Sequence, residues 1–260
     1  LNRGYRKVIL FLGGSATNDA GAGLLHALGV RLLDKNGKEL PPGGIHLINL
    51  ETIDVTKLDP RLKETDIVVA TDVTNPLRGP NGASAIYGPQ KGASPNVVKE
   101  LDAALTQFAK IVKRSLGRDI AECPGAGAAG GVGAALLAFT NSTVQSGIDL
   151  ICDTLHVDDH FRNTNLVITG EGRIDRSTIF NKAPVGIARR AKTFGIPVIA
   201  LAGSLGSGYR DVYSQGIDGV FCILDRPLSL KESVDQTYEL LSAATERALR
   251  LFNTSAASGH

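Results

Sequence analysis

The sequence predicts an α/β fold built on parallel strands. Four apolar, β-branched runs end in glycine or an acidic residue, and each is followed by a turn-rich loop, the pattern of strands feeding βα crossovers. The runs are Lys7 to Leu12, Asp66 to Ala70, Asn165 to Thr169 and Pro197 to Ala202. The last two bracket a helical stretch and so form one strand–helix–strand unit.

Taken in order, Lys7 to Leu12 leads into the loop Gly13 to Gly23, after which Leu24, Leu25, Leu28 and Leu32 recur at helical spacing. Pro95 to Leu116 is a helix with Val98, Leu101, Leu105, Phe108 and Val112 on its inner face. Asn165 to Thr169 is followed by a loop at Gly170 to Arg176, a helix around Val185 to Phe194, a Gly195-Ile196-Pro197 break and the next strand. A final helix from Leu230 to Phe252 turns Val234, Leu241, Ala244 and Leu251 inward, and Thr254 to His260 has no periodicity and reads as a frayed, disordered tail. The softest place to divide the chain is Phe139 to Leu155, giving one domain over 1–150, a second over 151–253, and the tail at 254–260.

Composition narrows the function. The chain has 260 residues, 43% hydrophobic and 21% charged, enough for a sizeable core without disulfides or metal. A net charge of +2 is too balanced for a dedicated nucleic-acid or membrane-surface binder, so a small or locally anchored partner is expected. Cys123, Cys152 and Cys222 are far apart and odd in number, which fits a reducing cytoplasm better than a disulfide framework or a zinc site. Val8 to Leu12 is too short for a signal peptide core, and the uncharged stretch Cys123 to Ile148 is broken by glycines and so falls short of a membrane span. The absence of Met and the start at Leu1-Asn2-Arg3 lead to the expectation of an incomplete translated chain.

Three segments carry candidate chemistry. In Gly13 to Gly23, glycines let backbone N–H groups approach an anion, the helix start adds partial positive charge, and Ser15, Thr17 and Asn18 add donors. Asp19 in that loop could take a proton or hold a metal; a tight turn in which Ser15 or Asp19 caps the helix has the same signature. Asp72-Val73-Thr74-Asn75-Pro76 follows a buried strand and so projects Asp72 where open α/β sheets place ligands, although an Asx-turn before Pro76 also fits. In Gly170-Glu171-Gly172-Arg173-Ile174-Asp175, Glu171 and Asp175 suit magnesium while Arg173 or Lys182 neutralises a transferring phosphoryl group; a surface ion-pair cluster has the same composition. Gly203-Ser204-Leu205-Gly206 is a weaker copy of the glycine loop, for which a plain βα turn is the leading reading. Gly125, Gly127 and Gly130 satisfy G-x-G-x-x-G but follow a proline rather than a strand, which points to close backbone packing or another anion loop rather than a dinucleotide site. No Walker loop, G-x-S-x-G or H-E-x-x-H occurs.

The segments GGSATNDAGAGLLHALG from Gly13, ATDVTNPLRGPNGASAIYGPQKGAS from Ala70, PGAGAAGGVGAALLAF from Pro124, LVITGEGRIDRSTIFNKAP from Leu166 and PVIALAGSLG from Pro197 together resemble the bacterial class I glycerate kinases. The resemblance covers Tyr5 to about Phe252. It implies two α/β domains, one Rossmann-like with a parallel sheet and the other a glycine-rich mixed α/β domain. It further implies phosphoryl transfer from ATP, with Mg²⁺, to D-glycerate, the 2-hydroxyl giving 2-phosphoglycerate. The family's upstream APDSFKGS-like and ADGGEGT-like loops are absent here. Smaller departures are Ala20 in place of glycine, Leu24 in place of methionine, and Asn181 where glycine commonly precedes the lysine.

On that reading, Gly13, Gly14 and Ser15 hold the substrate carboxylate or the phosphates, joined by Asn75, Gly203 and Ser204, while Asn18 and Asp19 order the substrate. Asp72 accepts the hydroxyl proton, with Asp19 its rival; Glu171 and Asp175 hold Mg²⁺; Arg173 and Lys182 stabilise the transferring charge. The partners are then D-glycerate and ATP, with no nucleic acid or membrane, and a homo-oligomer is compatible. Two other readings fit the same residues: a catalytically incomplete relative that binds an acidic metabolite or nucleotide, and a kinase for a related 2-hydroxy acid.

Overall fold

The structure is a computed structural model that describes residues 1–179 and 182–257. Asn181, one of the departures noted above, and residues 258–260 of the expected tail lie outside the described residues. The chain separates into two compact units, Leu1–Gly147 and Ile148–His260.

In the first unit, β1 (Lys7–Phe11) is followed by the glycine loop and α1 (Ala22–Ala27), then β2 (Arg31–Leu33), β3 (Thr52–Asp54), β4 (Asp66–Ala70), α2 (Ala83–Tyr87), α3 (Pro95–Leu116), α4 (Ala128–Phe139) and β5 (Ser142–Gln145). β4 lies at the centre of a parallel sheet ordered β1-β4-β5, pairing Lys7 with Asp66 on one side and Ile67 with Ser142 on the other, while β2 and β3 form an antiparallel pair. The unit is therefore mixed α/β, as expected.

α3 follows its sequence signals closely. Ser94 caps it by accepting from Val97 N–H, Pro95 occupies the first turn, where no amide donor is needed, and Gly117 ends it at φ 68. Leu105, Phe108, Ile111 and Val112 are buried, and the Phe108 ring lies 6.5 Å from that of Phe139 in α4. α1 is shorter than the leucine spacing suggests. Gly29, at φ +94, stops it, and Leu32 belongs to β2. There a Cβ would lie 2.0 Å from the Lys57 carbonyl oxygen, so the turn requires glycine.

The second unit contains α5 (Gly147–Thr154, from its second residue), α6 (Val157–Phe161), β6 (Val167–Ile174), α7 (Ala183–Lys192), β7 (Val198–Leu205), β8 (Gly219–Cys222), α8 (Leu230–Asp235) and α9 (Thr237–Ala257). The sheet β6-β7-β8 is wholly parallel, and α7 makes the crossover between the first two strands. Val185, Ala188 and Ala191 of α7 pack with Val198, Ala200 and Ala202 of β7 in one buried cluster.

Three expectations change here. Gly170 to Ile174 is strand, not loop: β6 runs on through it, pairing Glu171 with Ala202 and Arg173 with Ser204. Gly203 and Ser204 likewise lie inside β7 rather than in a βα turn. The glycines permit this extension, because a Cβ on Gly170 would lie 2.5 Å from Leu201 O and one on Gly203 2.7 Å from Gly172 O. The last helix is also two helices. Ser229 starts α8 with a reciprocal capping box to Glu232, and Gln236, at φ −105, separates α8 from α9. The inward face of α9 is Leu240, Ala244 and Ala248, leaving Val234, Leu241 and Leu251 exposed. α9 continues to Ala257, beyond the point where the apolar periodicity fails.

Candidate active site

In the first unit the glycine loop leaves the carboxyl end of β1. Its helix starts only at Ala22, so Gly13, Gly14 and Ser15 are beside the strand end and receive no help from a helix N-terminus. Both glycines are exposed, with Gly14 at φ +60. The loop's anchors come from elsewhere. The Asn18 amide donates to Ser84 Oγ at 3.0 Å, and Ser84 is fully buried. Lys91 Nζ donates to Ser15 Oγ at 3.0 Å and to the Thr17 carbonyl at 2.6 Å. Asn75, in the loop after β4, donates to Asn81 O at 2.8 Å and accepts from the Tyr87 hydroxyl at 2.7 Å. One short stretch, α2 and the turn after it, thus holds three candidate residues with Ser84, Tyr87 and Lys91. Burial raises the Tyr87 phenol above its ordinary range, so it remains a donor at neutral pH.

The two candidate bases differ. Asp19 Oδ1 accepts from Gly21 N–H at 3.0 Å, the turn-capping arrangement weighed above, and Asp19 also lines a cavity of about 450 Å³ with His26, Leu40, Pro41 and Leu47. Asp72 is exposed beyond β4 and makes no Asx-turn. Its Oδ1 reaches across the sheet to Gly147 N–H at 2.9 Å and Ser146 Oγ at 3.1 Å. Asp72 therefore sits at the carboxyl ends of parallel strands, where ligands of open sheets collect.

The G-x-G-x-x-G stretch is a packing device for this loop. A Cβ on Gly130, at φ +68, would lie 2.0 Å from the Thr17 carbonyl oxygen, and one on Gly127 2.3 Å from Pro76 O. The Gly130 carbonyl also accepts from Ala20 N–H at 3.0 Å. Close approach of α4 thereby fixes both candidate loops of the unit.

In the second unit buried Thr178 links the Glu171 carboxylate to the Asp175 backbone. Its hydroxyl donates to Glu171 Oε1 at 2.5 Å and accepts from Asp175 N–H at 3.2 Å. Glu171 Oε2 lies 3.8 Å from Lys182 Nζ, and Asp175 Oδ2 lies 3.4 Å from Arg173 Nε. Hydrogen bonds from the Ser177 hydroxyl and amide hold the Asp175 carboxyl below the usual carboxylate range. Gly206 packs under this cluster, since a Cβ there would lie 2.7 Å from Asp175 Cβ and 2.8 Å from Arg173 Nε. Glu171, Gly203 and Ser204 also line a groove of about 810 Å³ whose apolar wall includes Leu228, Val234 and Leu241. That size and lining suit a small-molecule ligand. Among the described residues no group of three or more His, Cys, Asp or Glu could hold a metal ion.

Sequence reasoning missed Ser84, Tyr87, Lys91 and Thr178. All four lie inside the long motifs quoted above, and a hydroxyl at 84, a phenol at 87 and an ammonium at 91, spaced three and four residues apart, were the available signal.

Residues 1–253 match the glycerate kinase family. The chain is 47% identical over 244 residues to a glycerate kinase from Halalkalibacterium halodurans, covering 94% of this chain and 64% of the relative. It is 48% identical over 245 residues to a glycerate 2-kinase from Escherichia coli K12, with the same coverage of 94% and 64%. A crystal structure from Salmonella typhimurium LT2, described as a candidate glycerate kinase 2, superposes with a TM-score of 0.78 at 43% identity over 98% of this chain and 67% of that one. The chain thus spans about 64% of the length of these curated relatives.

Proposed function

The chain belongs to the glycerate kinase family, and from that premise we propose that it takes part in phosphoryl transfer from ATP to the 2-hydroxyl of D-glycerate. The observation that carries the reading is the anchored loop of the first unit, in which Ser15, Asn18 and Asn75 are held by Lys91, Ser84 and Tyr87. Such a loop offers fixed donors for a small, polar, anionic acceptor.

In this reading the backbone amides of Gly13 and Gly14 with Ser15 Oγ receive the acid end of the substrate, and Asn18 and Asn75 orient its hydroxyls. The 2-oxygen attacks the γ-phosphorus, the bond to the bridging oxygen breaks, ADP leaves, and Asp72 accepts the hydroxyl proton. Asp72 is preferred to Asp19 because it stands exposed at the carboxyl ends of the parallel strands β4 and β5, where ligands of open sheets collect. Gly203 and Ser204 line the groove assigned to the nucleotide. Arg173 and Lys182 neutralise charge on the transferring group.

The residues present fit Mg²⁺. Glu171 and Asp175 are hard oxygen donors, and Mg²⁺ takes one or two carboxylates and fills its other positions with water and phosphate rather than demanding a protein cage. When bound it would neutralise phosphate charge. A cytoplasmic location agrees with three free cysteines, and no described helix is long and apolar enough to cross a membrane. The test is phosphorus NMR of the product formed from Mg-ATP and D-glycerate. A 2-phosphoglycerate resonance supports the reading, and 3-phosphoglycerate or no phosphorylated acid counts against it.

A further inference from the structure

We propose that Lys91 is the group that recognises the carboxylate of the acceptor, binding it together with Ser15 Oγ. The proposal rests on the glycerate reading above and adds to it the residue that selects for an acid over a neutral polyol.

Lys91 is half-buried, and both of its hydrogen-bond acceptors, Ser15 Oγ and the Thr17 carbonyl, are neutral. No carboxylate lies within 4 Å of its ammonium among the described residues, whereas other partly buried cations, such as Arg61 and Arg190, sit on carboxylates. Taking an ammonium out of water without a counter-charge is unfavourable, and the cost is recovered when an anion arrives. Burial accordingly holds the Lys91 amine below the ordinary lysine range, with the charge of Asp19 opposing the shift. An ammonium has three donors, so one remains after Ser15 and Thr17 are served.

Its placement points to the same ligand. Lys91 follows Ser84 and Tyr87 on the one stretch that grips Asn18 and Asn75, and its tip touches Ser15 beside the exposed amides of Gly13 and Gly14. An anion resting on those amides meets the ammonium directly. A phosphate would meet the same donors, so the test separates acceptor from nucleotide.

The experiment is titration calorimetry of the 260-residue chain and its Lys91→Met and Lys91→Arg variants with three probes: D-glycerate, the neutral amide D-glyceramide, and ADP. Thermal unfolding serves as the check that each variant is folded. A charge-assisted contact predicts that the native chain prefers D-glycerate and that Lys91→Met weakens D-glycerate on the order of 10- to 100-fold. D-Glyceramide and ADP should change little, and Lys91→Arg should restore part of the preference. If Lys91→Met weakens acid and amide alike, Lys91 is only a clasp for the loop and the proposal falls. A loss confined to ADP overturns it in favour of a phosphate contact. If the native chain binds neither D-glycerate nor its amide, the glycerate reading itself fails, and the Lys91 assignment with it.

Discussion

The Tyr87 hydroxyl donates to Asn75 Oδ1 at 2.7 Å, and Asn75 passes the constraint on through its amide to the Asn81 carbonyl. This bond aims a loop residue from a helix and fixes the orientation of the amide. Tyr87→Phe keeps the ring and removes only that bond. It should cost about 1 kcal/mol of stability and raise KM for D-glycerate more than KM for ATP. Equal effects on both constants would show that Asn75 does not face the acceptor.

Gly130 supports the candidate loop from beneath. Gly130→Ala places a methyl 2.0 Å from the Thr17 carbonyl at a positive φ. Strain and overpacking together predict a loss of roughly 2–5 kcal/mol in denaturant unfolding. Gly23→Ala is the matched control, for its Cβ meets nothing within 4 Å inside α1. It should be neutral or stabilise by up to about 1 kcal/mol.

Asp59 gives the clearest pH dependence. Hydrogen bonds from the Arg61 side chain, at 2.9 and 2.6 Å, and from its amide lower the Asp59 carboxyl from 3.8 to about 2. A carboxyl depressed in the folded state stabilises above its unfolded value and loses that contribution as pH falls through the folded value. The melting temperature of the native chain should therefore exceed that of Asp59→Asn at pH 6, and the gap should narrow below pH 3.8 and close near pH 2. A gap independent of pH would place the effect in packing.

Asp72→Asn separates chemistry from architecture. Asparagine can still accept from Gly147 N–H and Ser146 Oγ, so the melting temperature should hold. Loss of a general base should lower kcat on the order of 10²- to 10⁴-fold. Near-normal turnover would pass the role to Asp19.

Legibility in the sequence followed the range of the interactions. β4 and α3 lie where the pattern puts them, because the run Asp66–Ala70 and the signals Ser94, Pro95 and Gly117 act locally. The strand content of Gly170 to Ile174 was hidden, since glycines read as loop and only the partner strand, with Gly203 opposite Gly172, makes room for them to pair. The face of α9 was misread because the break at Gln236 resets the helical phase. At the candidate site, the motif positions Ser15, Asn18, Asn75, Asp72, Glu171 and Asp175 stood out individually, but their neighbours did not. Lys91 is 76 residues from Ser15 and Ser84 is 66 from Asn18, distances over which no local pattern reports contact.

The most direct test of the central claim is ADP release from Mg-ATP by this chain, measured with and without D-glycerate. The account predicts release that depends on D-glycerate, saturates with it, and is lost in Asp72→Asn. Release that is the same with and without D-glycerate, or none from a folded chain, would contradict it.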